Sequence, residues 1–205
     1  MAQTLPFADE NGPLAHLNDY KNNINHAHLV KNYQDGDDYT AVTTTKSVAN
    51  IAISAPDMVI TDSNGDKVLT INAKSGLAKT QDSDTHAVGT ATSGNNTSLT
   101  DSGASFGVLT AKVVHIKSGA GAGKSAKITG NTGTVLNFAD IGVTLDNTSQ
   151  YEVLDDLVVA YVDTANSRIK LIKEETTDQA ISASNGNSVN ISANTHTVKK
   201  AVNVA

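Results

Sequence analysis

The chain has 205 residues, a formal net charge of −6 and a sequence pI near 5.4; 39% of its residues are hydrophobic, 18% charged and 4% aromatic, with neither Cys nor Trp. The lack of cysteine removes disulfides, thiolate metal sites and a Cys nucleophile. The acidic balance, with no run of Lys and Arg, argues against nucleic acid as a partner, and no stretch approaches the ~18 apolar residues of a membrane span.

Low charge with abundant Thr, Asn, Ser and Gly is unlike the charged, Pro- and Glu-rich profile of disorder. Thr fits a pleated surface. The expected fold is all-β: small sandwich or barrel-like modules of short antiparallel strands, preceded by an extended or partly helical N-terminal arm. A core of Val, Ile, Leu and Ala is thin, so oligomerisation or docking on a larger body would supplement it. Met1-Ala2-Gln3-Thr4-Leu5-Pro6 lacks a charged region followed by an apolar stretch. No signal peptide is expected, and the protein is expected to be made in a cytoplasm.

Residues 1–47 form the expected arm. Leu14, Leu17, Tyr20, Ile24 and His28 recur at steps of three and four, the spacing of one helix face. Asn18, Asn22, Asn23 and Asn25 oppose a helix. His26 and His28 would share one face of a strand, but no third metal ligand lies near them in sequence. Asp35, Asp37 and Asp38 make an acidic turn without the ligand order of an EF-hand.

Residues 48–88 are a β-hairpin region and a linker. Ile51 and Ile53 alternate with small residues until Pro56. Met58–Thr61 and Lys67–Asn72 flank Asp62-Ser63-Asn64-Gly65-Asp66, and Asn-Gly supplies the positive φ of a tight hairpin. Leu69 and Ile71 would face inward. Ala78–Val88 is polar and is expected to be linker, with no partner evident for His86.

Residues 89–156 read as one module, with strands expected near 97–101, 112–117, 125–129, 135–138 and 151–154. Residues 157–205 follow as a C-terminal hairpin and a strand or tail. Leu157–Val162 is continuous and apolar, and Arg168–Lys173 alternates, with Ile169 and Leu171 inward. Thr197–Val204 is expected to be a last strand or a tail that pairs with a neighbouring chain.

The module's glycine-rich centre, Ser118–Ser125, ends in Gly123-Lys124-Ser125 and invites a phosphate-loop reading. The first glycine of that motif would stand at position 118, which is Ser118. The sequence downstream, with Gly130 and Gly133 among β-branched residues, cannot sustain the helix that a phosphate loop opens. The expected structure is a flexible hairpin tip. No Gly-x-Ser-x-Gly elbow is present, and the adjacent pairs Asp155-Asp156 and Glu174-Glu175 would point to opposite faces of a strand. No catalytic, cofactor-binding or metal-ligating residue is assigned, and no enzyme activity is expected.

Leu99-Thr100-Asp101-Ser102-Gly103, the turn Ser118–Gly123, Ile128-Thr129-Gly130-Asn131-Thr132 and the closing Tyr151-Glu152-Val153 together resemble a β module that recurs in structural proteins of tailed bacteriophages. The resemblance covers about a third of the chain and departs from the family in having Phe106 and Val108 but no Trp. It implies a virion protein without catalytic residues. The length and the absence of a stem repeat are similar to capsid decoration (cement) proteins. These bind the outer capsid surface, commonly as homotrimers, and would give the major capsid protein and self as partners. The alternative is a tail component: a fibre, spike or adaptor for host attachment or tail assembly. A carbohydrate-degrading virion enzyme ranks last.

Overall fold

The N-terminal helix, β1 and β2 set up a sheet that the chain completes only after a long excursion. A computed structural model describes residues 11–63, 66–174 and 189–199. Helix α1 (Asn11–Asn23) buries Leu17, with Tyr20 and Ile24 packed beside it. The segment read as an arm is therefore partly helical, and its described residues are built into the core. His28, counted above on the helix face, instead lies in β1 (His26–Lys31), a strand buried from Ala27 to Val30. β2 (Ser47–Ala52) pairs antiparallel with β1. A turn of 3₁₀-helix at Ala55–Asp57 holds Pro56 in its first turn and is closed by a reciprocal Ser54–Asp57 capping box.

β3 (Met58–Ser63) and β4 (Asp66–Ile71) form the expected hairpin; its Asn64-Gly65 tip lies outside the described residues. Leu69 and Ile71 are buried as expected. Two short strands follow, β5 (Lys74–Ser75) and β6 (Ala78–Lys79).

The chain then builds a second body. β7 (Thr85–Thr90), β8 (Ser93–Gly94), β9 (Ser98–Thr100), β10 (Val113–Ser118), β11 (Ser125–Asn131), β12 (Val135–Phe138) and β13 (Gln150–Leu154) form one sheet in the order β7-β13-β10-β11-β12-β9-β8. β7 and β8 are the two ends of that order, yet only Ala91 and Thr92 separate them in sequence. Ala91 N–H donates to Ser149 on the β13 side, and Thr92 N–H donates to Thr100 on the β9 side. One bent strand thus changes partner midway and curls the sheet into a barrel-like module. Its core includes Leu99, Val114, Ile116, Ile128, Leu136, Phe138, Leu145, Tyr151 and Val153. Residues 85–88, expected to be linker, are the first half of that bent strand.

From β13 the chain returns to the first body. β14 (Leu157–Asp163) inserts beside β1, giving the order β15-β14-β1-β2-β6 with β15 (Arg168–Glu174) at the edge. β16 (Asn190–Ile191) pairs with β5, and β17 (Asn194–Val198) pairs with β4. The described part of the last strand therefore pairs within the chain; residues 200–204 lie outside the description. We call this body the base unit and residues 85–154 the inserted module.

The central sheet of the base unit is covered on both faces. Leu157, Val159 and Tyr161 face the core shared with α1, β4 and Ile191, while Ala160 and Val162 pack with Val30, Val42, Tyr33 and Tyr39. Burial on both faces is why Leu157–Val162 is continuously apolar. Ile169 and Leu171 do not share a face. Tyr161 pairs with Leu171 and Val162 with Ile169, so Lys170 is an extra residue in the ladder. A bulge shifts the alternation, placing Leu171 against one core and Ile169 against the other. Among the described residues no helix is long and apolar enough to cross a membrane.

Candidate functional site

The glycine-rich tip closes a β-hairpin. β10 and β11 are antiparallel neighbours, and Ser118–Lys124 is the turn between them. A strand follows Lys124, not a helix, so the geometry that presents amides to phosphate is missing. The tip amides are turned inward: Ala122 N–H donates to Gly119 O, Gly123 N–H to Ile116 O and Lys124 N–H to Gly121 O.

The tip is also docked, contrary to the flexible turn expected above. Gly119 and Gly121 have φ of +78° and +82°, a region L side chains rarely enter. A Cβ at Gly119 would overlap the Thr148 carbonyl, and one at Gly121 would stand 2.5 Å from Leu145 Cδ2. Ala120 N–H donates to Thr148 Oγ1 (3.1 Å), and Ser149 Oγ donates to Ala120 O (2.8 Å). The receiving loop is itself fixed by Asp146, whose Oδ1 accepts from Thr148 N–H (2.8 Å) and Oγ1 (2.6 Å). These bonds hold the Asp146 carboxyl below the usual carboxylate range. The glycines are thus needed for close approach.

The other resembling motifs are likewise spent on the fold. Asp101 Oδ1 accepts from Gly103 N–H (3.0 Å), and Asp101 Oδ2 accepts from the Tyr151 hydroxyl (2.8 Å). Burial first, then the Asp101 carboxylate, raises the Tyr151 pKa. Asn131 Oδ1 accepts from Leu109 N–H (2.9 Å), while Asn131 Nδ2 donates to Gly107 O (2.7 Å), tying segment 101–109 across the end of the module.

The densest polar cluster lies where the chain enters and leaves the module. The Asp155 side chain is fully buried. Its Oδ2 accepts from Asp84 N–H (2.9 Å), and its Oδ1 lies 2.7 Å from His86 Nε2 and accepts from Lys112 Nζ (2.9 Å). Burial raises the Asp155 pKa, but the His86, Lys112 and Asp84 hydrogen bonds outweigh it, so the net shift is downward. Lys112 also reaches Asn32 Oδ1 (3.0 Å) in the base unit. Asp84 in turn accepts from Lys31 Nζ (2.6 Å) and Asn32 Nδ2 (3.2 Å), and Lys127 pairs with Asp156 at 2.5 Å. His86 reaches Asp155 because of a bulge: Val153 pairs with Ala87 and Leu154 with Thr85, leaving His86 out of the ladder and its ring re-aimed.

Chemically this cluster is a clamp. A His-carboxylate pair can orient a base for a serine, but the nearby Ser83 Oγ is buried and makes no hydrogen bond, and Lys112 occupies the carboxylate that such a pair would need. Asp155 and Asp156, adjacent in sequence, go to different partners, His86 and Lys112 for the first and Lys127 for the second. Glu174 closes β15, and Glu175 lies outside the described residues. His26 and His28 do share a face, with ring centroids 6.3 Å apart. His28 Nδ1 lies 2.9 Å from Ser47 Oγ, and burial drives the His28 pKa down to about 4. In the acidic turn, both Asp37 oxygens accept from Lys46 Nζ. Among the described residues no group of three or more His, Asp or Glu could hold a metal ion.

Sequence reasoning missed the clamp because its members are local only at the neck. Lys112 meets Asp155 across 43 residues and Asn32 across 80. The one available signal was the carboxylate pair Asp155-Asp156 directly before a continuous apolar strand. No known protein family, curated protein or solved structure matches the chain.

Proposed function

We propose that the protein is a virion structural protein of a tailed bacteriophage that decorates the outer surface of the capsid shell and stabilises it. The observation that carries this reading is the resemblance of residues 89–155 to the phage structural module, together with the use of its motif residues. Asp101, Gly119, Asn131 and Tyr151 all serve internal closure of the barrel. A body whose most conspicuous polar side chains serve its own closure is suited to a passive, load-bearing role. Its three separate small cores fit a protein that gains stability from docking and self-association, with the major capsid protein and further copies of itself as partners. Repeated contacts across capsomer boundaries would supply avidity without one large interface.

The test is association. Purified protein is mixed with capsids that lack it and sedimented. Co-sedimentation with saturation at hundreds of copies per particle is expected, with raised resistance of the shell to heat. Failure to sediment with capsids contradicts the reading, and a few to tens of copies confined to one vertex assigns the protein to the tail instead.

A further inference from the structure

The inserted module is not closed along its whole length. The bent strand 85–94 changes partner at Ala91 and Thr92. Because hydrogen-bonding direction alternates along an antiparallel strand, Val88 and Thr90 point their backbone groups the same way as Thr92, toward the β9 side. Thr92 finds Thr100 there. Ser102 N–H still donates to Thr92 Oγ1 (3.3 Å), and beyond it the partner chain turns away. Asp101 N–H donates to Thr134 O and Phe106 N–H to Gly133 O, so the backbone of this segment bonds to residues 133–134 and not to the backbone of the bent strand. Among the described residues the outward amides of Val88 and Thr90 have no backbone partner.

A groove of about 240 Å³ occupies the gap. His86, Ala87 and Val88 line it from the bent strand, Asp101 and Gly103–Gly107 from the segment opposite, with Phe106, Leu109 and Tyr151 also lining it. Val88 is 62% exposed, and Val108, between two lining residues, is 90% exposed. At Gly89, next to the lining residue Val88, a Cβ would stand 2.5 Å from Asp101 Oδ2 and 2.7 Å from the Tyr151 hydroxyl. Natural edges are guarded by charge, proline or bulges. β15 follows that rule with Arg168, Lys170 and Lys173, whereas Ala87–Thr90, past the bulge at His86, carries no charge and no Pro.

We propose that this groove receives an extended segment of a partner protein, added as a strand to Ala87–Thr90, and that the segment carries a Lys or Arg opposite Asp101. Unpaired strand amides fit the backbone of an extended chain. The cationic preference follows from Asp101: its carboxylate accepts only from neutral donors, Gly103 N–H and the Tyr151 hydroxyl, and no described cation pairs with it. The net charge of −6 favours a basic partner over a second copy.

The experiment uses the full chain, isotope-labelled, and the blocked peptide acetyl-Thr-Val-Lys-Val-Thr-amide, observed by NMR. Shifts are expected at Val88, Thr90 and Gly103–Gly107, and exchange of the Val88 and Thr90 amides should slow about tenfold or more at saturation. Asp101→Asn keeps the Oδ1 acceptor for Gly103 N–H and reverses the other contact, its Nδ2 donating to the Tyr151 hydroxyl oxygen, and should weaken binding about threefold to tenfold. Val88→Pro, checked for an unchanged base-unit spectrum, should abolish it. A peptide N-methylated at alternate residues should not bind, which keeps the test valid if the proline variant misfolds. The proposal is overturned by shifts confined elsewhere, by equal binding of the N-methylated or Lys→Glu peptide, or by no binding at millimolar peptide. Concentration-dependent shifts of the same amides without peptide would also overturn it, since the occupant would then be a second copy.

Discussion

The base unit draws its central strands from the two ends of the described chain: β1 and β14 are neighbours, and the Asn25 side chain reaches Thr164 across 139 residues. The inserted module draws every strand from residues 85–154, and its entry and exit, Thr85 and Leu154, are register partners. The first body needs both halves of the chain before it can bury anything. The second can close on itself, so its stability should follow its own turns and cores. The clamp around Asp155 is the chief polar tie between the two.

If the glycine tip locks the module, substitutions there should rank by what the added Cβ meets. Gly119→Ala, against a backbone carbonyl that cannot retreat, should cost about 3 kcal/mol or more. Gly121→Ala, against a leucine side chain that can give, should cost about 2 kcal/mol. Gly123→Ala, with open space but φ of +81°, should cost about 1 kcal/mol. Thermal denaturation of the module reads the series, and equal losses at the three sites would refute the docked tip. Asp155→Ala strands three partners at the neck, Lys112, His86 and the Asp84 amide, and should cost about 2–3 kcal/mol. Native-state hydrogen exchange should show that loss at the neck amides first.

A pH titration separates the units from the other side. His28 belongs to the base unit and has its pKa lowered from 6.5 to about 4 by burial. Between those values the unfolded chain binds a proton that the folded chain refuses. Its contribution is therefore present above pH 6.5 and lost as pH falls toward 4, by about 2–3 kcal/mol in total. Denaturant melts from pH 7 to 4 should show this slope in the base unit, and His28→Gln should reduce it, leaving the smaller part that half-buried His196 contributes with the same sign. The smallest effect is a gain. Ala111 sits at φ +69°, and Ala111→Gly should stabilise the module by about 0.5–1 kcal/mol.

What could be read from the sequence was whatever a single segment decides. The Asn64-Gly65 hairpin, the apolar run at Leu157 and the strands near Val113, Ser125, Val135 and Tyr151 were all visible, because period and turn residues are local signals. The role of His26–Lys31 was not. Its apolar core of Ala27, Leu29 and Val30 is short, and helical spacing upstream ran into it. Only β14, far along the chain, makes it a central strand. The bulge at Lys170 erased a correct-looking alternation, and the bulge at His86 turned an apparently idle histidine into a clamp member. The tip looked flexible because glycine is ambiguous: the same residues serve freedom or close approach, and Thr148 and Leu145 decide which.

The insertion itself is tested most directly by two deletions. In one, residues 85–154 are replaced by a short glycine linker joining Asp84 to Asp155; in the other, the chain stops after Asp156. Near-ultraviolet circular dichroism and thermal melts of both are compared with the full chain. The first should keep a cooperative transition with the base-unit signal, and the second should lose it while retaining a separate transition for the module. Loss of the base unit on excision, or its survival without β14, would contradict the account.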